Sequence, residues 1–212
     1  MIYRDPDTGR SYTYAQVKET AIDFGKGLKA AWDWQKGDVI GLFTPNSIDI
    51  PAVVWGTHWA GGVPSPANPG YTAAELAFQL KDSGAKALIT QKQCLKEACE
   101  AAKIVGIADD RIILIGDERD EQTRFKHFTN IRNTSGAVRY RRTKSNPKKD
   151  LAFLVYSSGT MGHPKGVMLS HGNIVSNILM GKVGEGGNLT WQNDRIVSFL
   201  PFYHIYGMFS LV

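Results

Sequence analysis

Sulfur is scarce in this chain. Its 212 residues include two cysteines, Cys94 and Cys99, which fit neither a disulfide framework nor a CxxC metal knuckle. Reduced thiols in a cytoplasm-like compartment are the expectation, which leaves the sequons at Asn133 and Asn188 little weight. No run approaches the roughly 18 uncharged apolar residues that a membrane span needs. The start, "MIYRDPDTGR", lacks the apolar core of a secretory signal. Acid is missing from "RYRRTKSNPKK" (139–149), which holds six basic residues. A nucleic-acid patch would add stacking aromatics or a recognition motif, and Tyr140 alone is thin support. With Ser145, Asn146 and Pro147 inside it, the run reads as a solvated connector, and no nucleic-acid partner is expected.

What is present is ordinary globular material: 42% hydrophobic, 21% charged, net charge +5. The length suits one large domain or two small ones. In "SYTYAQVKETAIDFGKGLKAAW", Val17, Ala21, Phe24 and Leu28 recur at helical spacing after a short extended stretch. "GDVIGLF", "AKALIT" and "RIILIG" read as short apolar strands. "IDIPAVVWGTHWAGG" reads as a helix with Pro51 in its first turn, and "VPSPANPGY" as a proline-rich loop. "TAAELAFQLKDSG" opens on a capping-box pattern, Thr72 and Glu75, and closes on Gly84. "KQCLKEACEAAKIVG" and "SHGNIVSNILMGKV" are further helices, and "LAFLVY" a further strand. "DRIVSFLPFYHIYGMFSLV" reads as a strand, a polar-aromatic turn and the start of an apolar element. Helices alternating with short apolar strands predict an α/β layered fold with a mainly parallel sheet flanked by helices. "MFSLV" offers no cap, polar tail or glycine stop, so the expectation is an element cut midway. The apolar residues of 199–212 are then expected to be exposed, disordered or engaged in self-association.

"YSSGTMGHPKGVMLSHGNI" (156–174) concentrates glycines, hydroxyls and one lysine directly after an apolar strand. Backbone N–H groups converge on an anion only where side chains are small, and Gly159, Gly162 and Gly166 supply that freedom. Ser157, Ser158 and Thr160 add hydroxyl donors, and Lys165 adds a flexible point charge suited to phosphate. The spacing is not GxxxxGK[ST], because Pro164 stands where the second glycine belongs and Lys165 precedes Gly166. An ordinary P-loop is therefore disfavoured, and a glycine-rich surface turn without ligand stays open on this pattern alone.

The loop closely resembles the phosphate-binding signature of the adenylate-forming superfamily. "GRSYTYAQV", "KGDVIGLFTPNS", "ANPGYTAAELAFQLKDSGAKALIT", "GVMLSHGNI" and "FLPFYHIYGM" follow in the order found in 4-coumarate:CoA ligase and its relatives. The resemblance implies adenylation of a carboxylic acid, aromatic or fatty, by ATP, and then thioester formation with CoA. It implies that Ser157, Ser158, Gly159, Thr160, Met161, Gly162 and Lys165 (loop 156–166) cradle the β- and γ-phosphates with Mg2+, and that Lys165 and His204 are catalytic. Tyr203, His204, Tyr206 and Ser210 would line the acyl side, with no metal ligand among these residues. Met161 departs from the family's usual hydroxyl, which implies weakened nucleotide handling. The family's later acidic motif, its ribose-binding aspartate and its C-terminal lid lysine have no counterpart here. The expectation is that residues 1–212 form the N-terminal portion of the large domain, with the lid absent and the isolated chain inactive. The location expected is cytoplasmic, with a peroxisomal signal falling outside the chain. A peptide-synthetase-like or luciferase-like domain, a non-catalytic nucleotide-binding fragment and a nucleic-acid binder using 139–149 stay open.

Overall fold

The computed structural model describes residues 2–133, 140–157, 164–190 and 192–212, without the side chains of 133, 210 and 211. Strands β1 (Tyr3–Arg4) and β2 (Ser11–Tyr12) form a small antiparallel ribbon. Helix α1 (Tyr14–Trp32) follows, started by a Thr13–Gln16 capping box. Its Val17, Ala21, Phe24 and Leu28 are all buried, as their spacing predicts. Then come β3 (Val39–Phe43), α2 (Ile50–Ala60), β4 (Val63–Ala67), α3 (Ala73–Ser83) and β5 (Ala85–Thr90). The predicted Thr72–Glu75 box caps α3, and Gly84 ends it at φ 66°. A 3-10 turn leads into α4 (Leu95–Val105), followed by β6 (Ile112–Leu114), β7 (Lys126–His127) and α5 (Phe128–Asn133).

These strands form a five-stranded parallel sheet in the order β4-β3-β5-β6-β7. Both faces are buried along β3, β4 and β6, so burial there is continuous rather than alternating. Ile40, Leu42, Ile89 and Ile113 pack toward α1, α2 and α5, while Phe43, Leu88, Ile112 and Leu114 pack toward α3 and α4. Helices α1 and α2 touch backbone to backbone: a Cβ on Gly25 would lie 2.6 Å from the Gly56 carbonyl oxygen.

Strand β4 corrects the reading of "VPSPANPGY" as a loop. Pro64 and Pro66 lie on the sheet's edge strand, paired in register with Ile40 and Leu42. Val63 donates its N–H toward β3, to Asp38 O at 2.8 Å. Residues of the opposite parity therefore face away, where a missing N–H costs no ladder bond.

Strand β8 (Leu151–Ser157) pairs antiparallel with β9 (Lys165–Ser170). Strand, loop and helix were expected here, but a second strand intervenes before α6 (His171–Gly184), which Ser170 and Asn173 cap reciprocally. No strand forms in "DRIVSF": residues 194–199 are irregular up to α7 (Ile205–Leu211). The apolar end is not wholly bare either, because Phe202 and Met208 are buried in the main core. Phe199 is 79% exposed, and the larger run of exposed apolar side chains lies on α6, from Val175 to Val183.

The connector at 140–149 is mostly exposed but tethered. Thr143 N–H donates to Trp59 O at 3.0 Å, and its hydroxyl to Ala60 O at 2.8 Å. Among the described residues no helix is long and apolar enough to cross a membrane, and Cys94 and Cys99 are unbridged.

A carboxylate with no exposed surface, Asp49, ties the N-terminal ribbon to the sheet. It accepts from Arg10 at 2.7 and 3.1 Å, from Tyr12 Oη at 2.8 Å and from Gly116 N–H at 3.1 Å. Burial, then Asp49, pushes Tyr12 up to about 12.

Candidate functional site

The β8–β9 register sets the stem of the glycine-rich loop. Ser157 stands opposite Lys165, and Tyr156 opposite Gly166. The hydroxyl and the ammonium thus leave adjacent strands as a cross-strand pair, both exposed. Ser158, Gly159, Thr160, Met161 and Gly162 lie outside the described residues. The stem is fastened to the parallel sheet's outer layer by Tyr156, whose hydroxyl donates to Asp82 of α3 at 2.5 Å. Burial and then that carboxylate push the Tyr156 phenol well above its ordinary value.

His204 caps α7. Its Nδ1 accepts the Tyr206 backbone N–H at 3.3 Å, which leaves Nε2 as the nitrogen that can carry a proton outward. The tight turn before it requires Gly207, where a Cβ would sit 2.2 Å from Pro201 O. Asn46, from "TPNS" after β3, holds the approach to this turn. It donates to Leu200 O at 2.8 Å and Ser198 O at 3.3 Å, and accepts the Phe202 N–H at 2.8 Å.

A cavity of about 440 Å3 brings Ser157, Tyr203 and His204 together. Lys165 and Tyr206 are not on its wall, and Tyr206 is exposed. The side chain of Ser210 is not described. Among the wall residues that sequence reasoning missed are Asn68, Tyr71 and Gln79. Asn68 folds the "NPGY" turn by accepting Gly70 N–H at 2.9 Å and Tyr71 N–H at 3.0 Å. Gln79 donates to Ser65 Oγ and Pro66 O, and its Oε1 has no partner among the described residues. The signal that could find Asn68 and Tyr71 is the Asn-Pro-Gly turn itself, whose sequence marks a connection and not a wall.

The arrangement offers a hydroxyl and a cation at a glycine-rich turn, a histidine with a free N–H, and an aromatic-walled hollow. That suits an anionic, phosphate-bearing substrate held next to an apolar one. Among the described residues no three His, Cys, Asp or Glu side chains converge.

The family described as AMP-binding enzyme matches residues 1–212. A 4-coumarate-CoA ligase 1 of Narcissus pseudonarcissus is 34% identical over 210 residues, covering 98% of this chain and 37% of the relative. The chain thus spans little more than a third of the curated relatives it matches. A long-chain-fatty-acid-CoA ligase from Archaeoglobus fulgidus superposes with a TM-score of 0.77 at 25% identity, covering 94% of this chain and 37% of that one. ATP-bound MatB from Rhodopseudomonas palustris superposes with a TM-score of 0.73 at 28% identity, covering 95% and 37%.

Proposed function

The chain belongs to the AMP-binding enzyme family, and on that premise we propose that it supplies the polyphosphate grip and the carboxylate-orienting histidine of an ATP-dependent carboxylate–CoA ligase. A carboxylate oxygen attacks the α-phosphorus of ATP while the bond to the pyrophosphate oxygen breaks, giving an acyl-adenylate. The CoA sulfur then bonds the acyl carbon as AMP leaves and the thiol proton passes to solvent. The carboxylate needs no base, since it is ionised at neutral pH.

The observation that carries this reading is the hairpin register that sets Ser157 beside Lys165, with Ser157 and His204 on one cavity wall. Lys165 meets the negative charge that builds on the departing pyrophosphate. Ser157, with Ser158, Gly159, Thr160, Met161 and Gly162, cradles the phosphates. The Nε2–H of His204 donates to an oxygen of the carboxylate or α-phosphate and fixes the angle of attack. Tyr203, Tyr206 and Ser210 belong to the acyl side, with Tyr71 as a further wall. An aromatic acid is favoured by the tyrosines around the cavity, and a fatty acid is the alternative. Mg2+ would be held mainly by the ATP phosphates and water, with a loop hydroxyl such as Ser157 as a protein ligand, and would add to the neutralisation of phosphate charge; no step here is derived through it. Unbridged Cys94 and Cys99 favour a cytoplasm-like compartment.

Residues 1–212 are proposed as the N-terminal portion of the large domain, needing other segments for turnover. No stretch of this sequence resembles the family's ribose-binding aspartate or lid lysine. Calorimetric titration with ATP, run beside pyrophosphate exchange with cinnamate and fatty acids, tests both parts. Saturable ATP binding with background exchange is expected. Absence of binding would refute the grip, and robust exchange would refute the need for further residues.

A further inference from the structure

A second cavity, of about 690 Å3, shares no wall residue with the one at His204. It lies against α1 and α2 and under the connector, and its size falls within the range of small-molecule sites, roughly 300–1,000 Å3. Its floor is aromatic. His58 stacks edge-on to Trp55 and Phe153, with ring centroids 5.8 and 5.1 Å away. Its Nε2–H is already given to Ala152 O at 2.8 Å, so it presents a neutral face. Trp59 closes the floor, with the Lys29 ammonium 5.4 Å from its ring. The rim is held in place, because Lys29 also donates to Arg141 O at 2.8 Å and Thr143 Oγ1 at 2.7 Å.

The charge of the wall is one-sided. Lys18 and Arg142 line it, no Asp or Glu does, and neither cation has a hydrogen-bond or ion-pair partner among the described residues. A cationic ligand is thereby disfavoured, and a neutral one leaves both cations unused. We propose that this cavity binds one amphipathic carboxylate, its apolar body on Trp55 and Trp59 and its carboxylate toward Lys18 and Arg142. This binding needs neither ATP nor the residues of the His204 site, so it stands whether or not the ligase reading does.

Tryptophan-fluorescence titration of the chain tests this with cinnamate, decanoate and the uncharged methyl cinnamate. Saturable binding of at least one acid is expected, with decanoate and cinnamate distinguishing an alkyl from an aromatic body. Two exposed charge contacts predict affinity about fivefold or more weaker for the ester than for cinnamate, and for the preferred acid in a Lys18→Gln, Arg142→Gln protein. If decanoate alone saturates, its charge dependence is read from that double variant. The proposal is overturned if neither acid saturates, or if charge on ligand or protein makes no difference.

Discussion

Asn46 and Phe202 meet across 156 residues of sequence: the asparagine Oδ1 accepts the Phe202 N–H at 2.8 Å. With its two donations to Leu200 and Ser198, this one side chain fixes the segment that presents His204. Asn46→Ala should cost about 1–2 kcal/mol, since three modest bonds partly exposed to water are lost. Amide exchange at 198–204 should speed up selectively. Asn46→Asp keeps the acceptor and loses the donors, so an intermediate effect is expected. Unchanged exchange in both variants would show that the segment is held by other contacts.

Asp49 should be the costliest polar position. Removing a partner from a buried ion pair costs about 3–5 kcal/mol, but Arg10 keeps some water contact, so about 2–3 kcal/mol is expected for Asp49→Ala. Urea denaturation reads this directly. Arg10→Leu should be worse than Arg10→Lys, since it removes the positive charge paired with the buried carboxylate.

Stability should depend on acid through His58. Burial, outweighing the bond to Ala152, holds this imidazole down to about 4, below the ordinary 6.5 of the unfolded chain. The unfolded state therefore takes up the proton first. His58 contributes its full share above pH 6.5, and that share drains away between pH 6.5 and 4. Up to about 3 kcal/mol is at stake, less for the part of the ring that keeps solvent contact. Burial lowers His127 and His171 in the same direction. Comparing wild type with His58→Gln by urea midpoint at pH 7 and pH 5 isolates the residue. The variant should lose less stability on acidification, and parallel losses would disprove the assignment.

The exposed apolar side of α6 predicts self-association. Val175, Ile178, Leu179, Met180 and Val183 are all exposed, Val183 by 80%, and contiguous apolar surface of this kind marks an interaction face. Light scattering should show a mass that rises with concentration. Leu179→Glu with Val183→Lys should shift the chain toward monomer, while Phe199→Ser should matter less. A monomer at every concentration would contradict this.

Much of the fold was legible where local chemistry and burial agree. The Thr72 and Glu75 box, Pro51 in the first turn of α2 and the apolar strands β3, β5 and β6 all form as their residues dictate. Strand β4 was hidden because prolines argue against strands, and only an edge position with the N–H side turned outward reconciles them. Strand β9 was hidden because "KGVMLS" is short, opens on the loop's own lysine and keeps Val167 and Met168 exposed, so no burial pattern marks it. The hold of Asn46 on 198–202 and of Asp49 on Arg10 depends on contacts between distant segments, which neither periodicity nor caps encode. Ser157, Tyr203 and His204, proposed from motif order, line one cavity, whereas Gln79 sits inside a helix whose sequence shows only that it is amphipathic.

The most direct test of the central claim is ATP affinity, by calorimetry, of wild type, Lys165→Ala and His204→Ala. A charge-assisted phosphate contact from an exposed lysine predicts roughly tenfold weaker binding for Lys165→Ala, with a smaller loss in His204→Ala, whose neutral N–H reaches at most one α-phosphate oxygen. Equal ATP affinity in wild type and Lys165→Ala would contradict the account, since the cation opposite Ser157 would then not be gripping the polyphosphate.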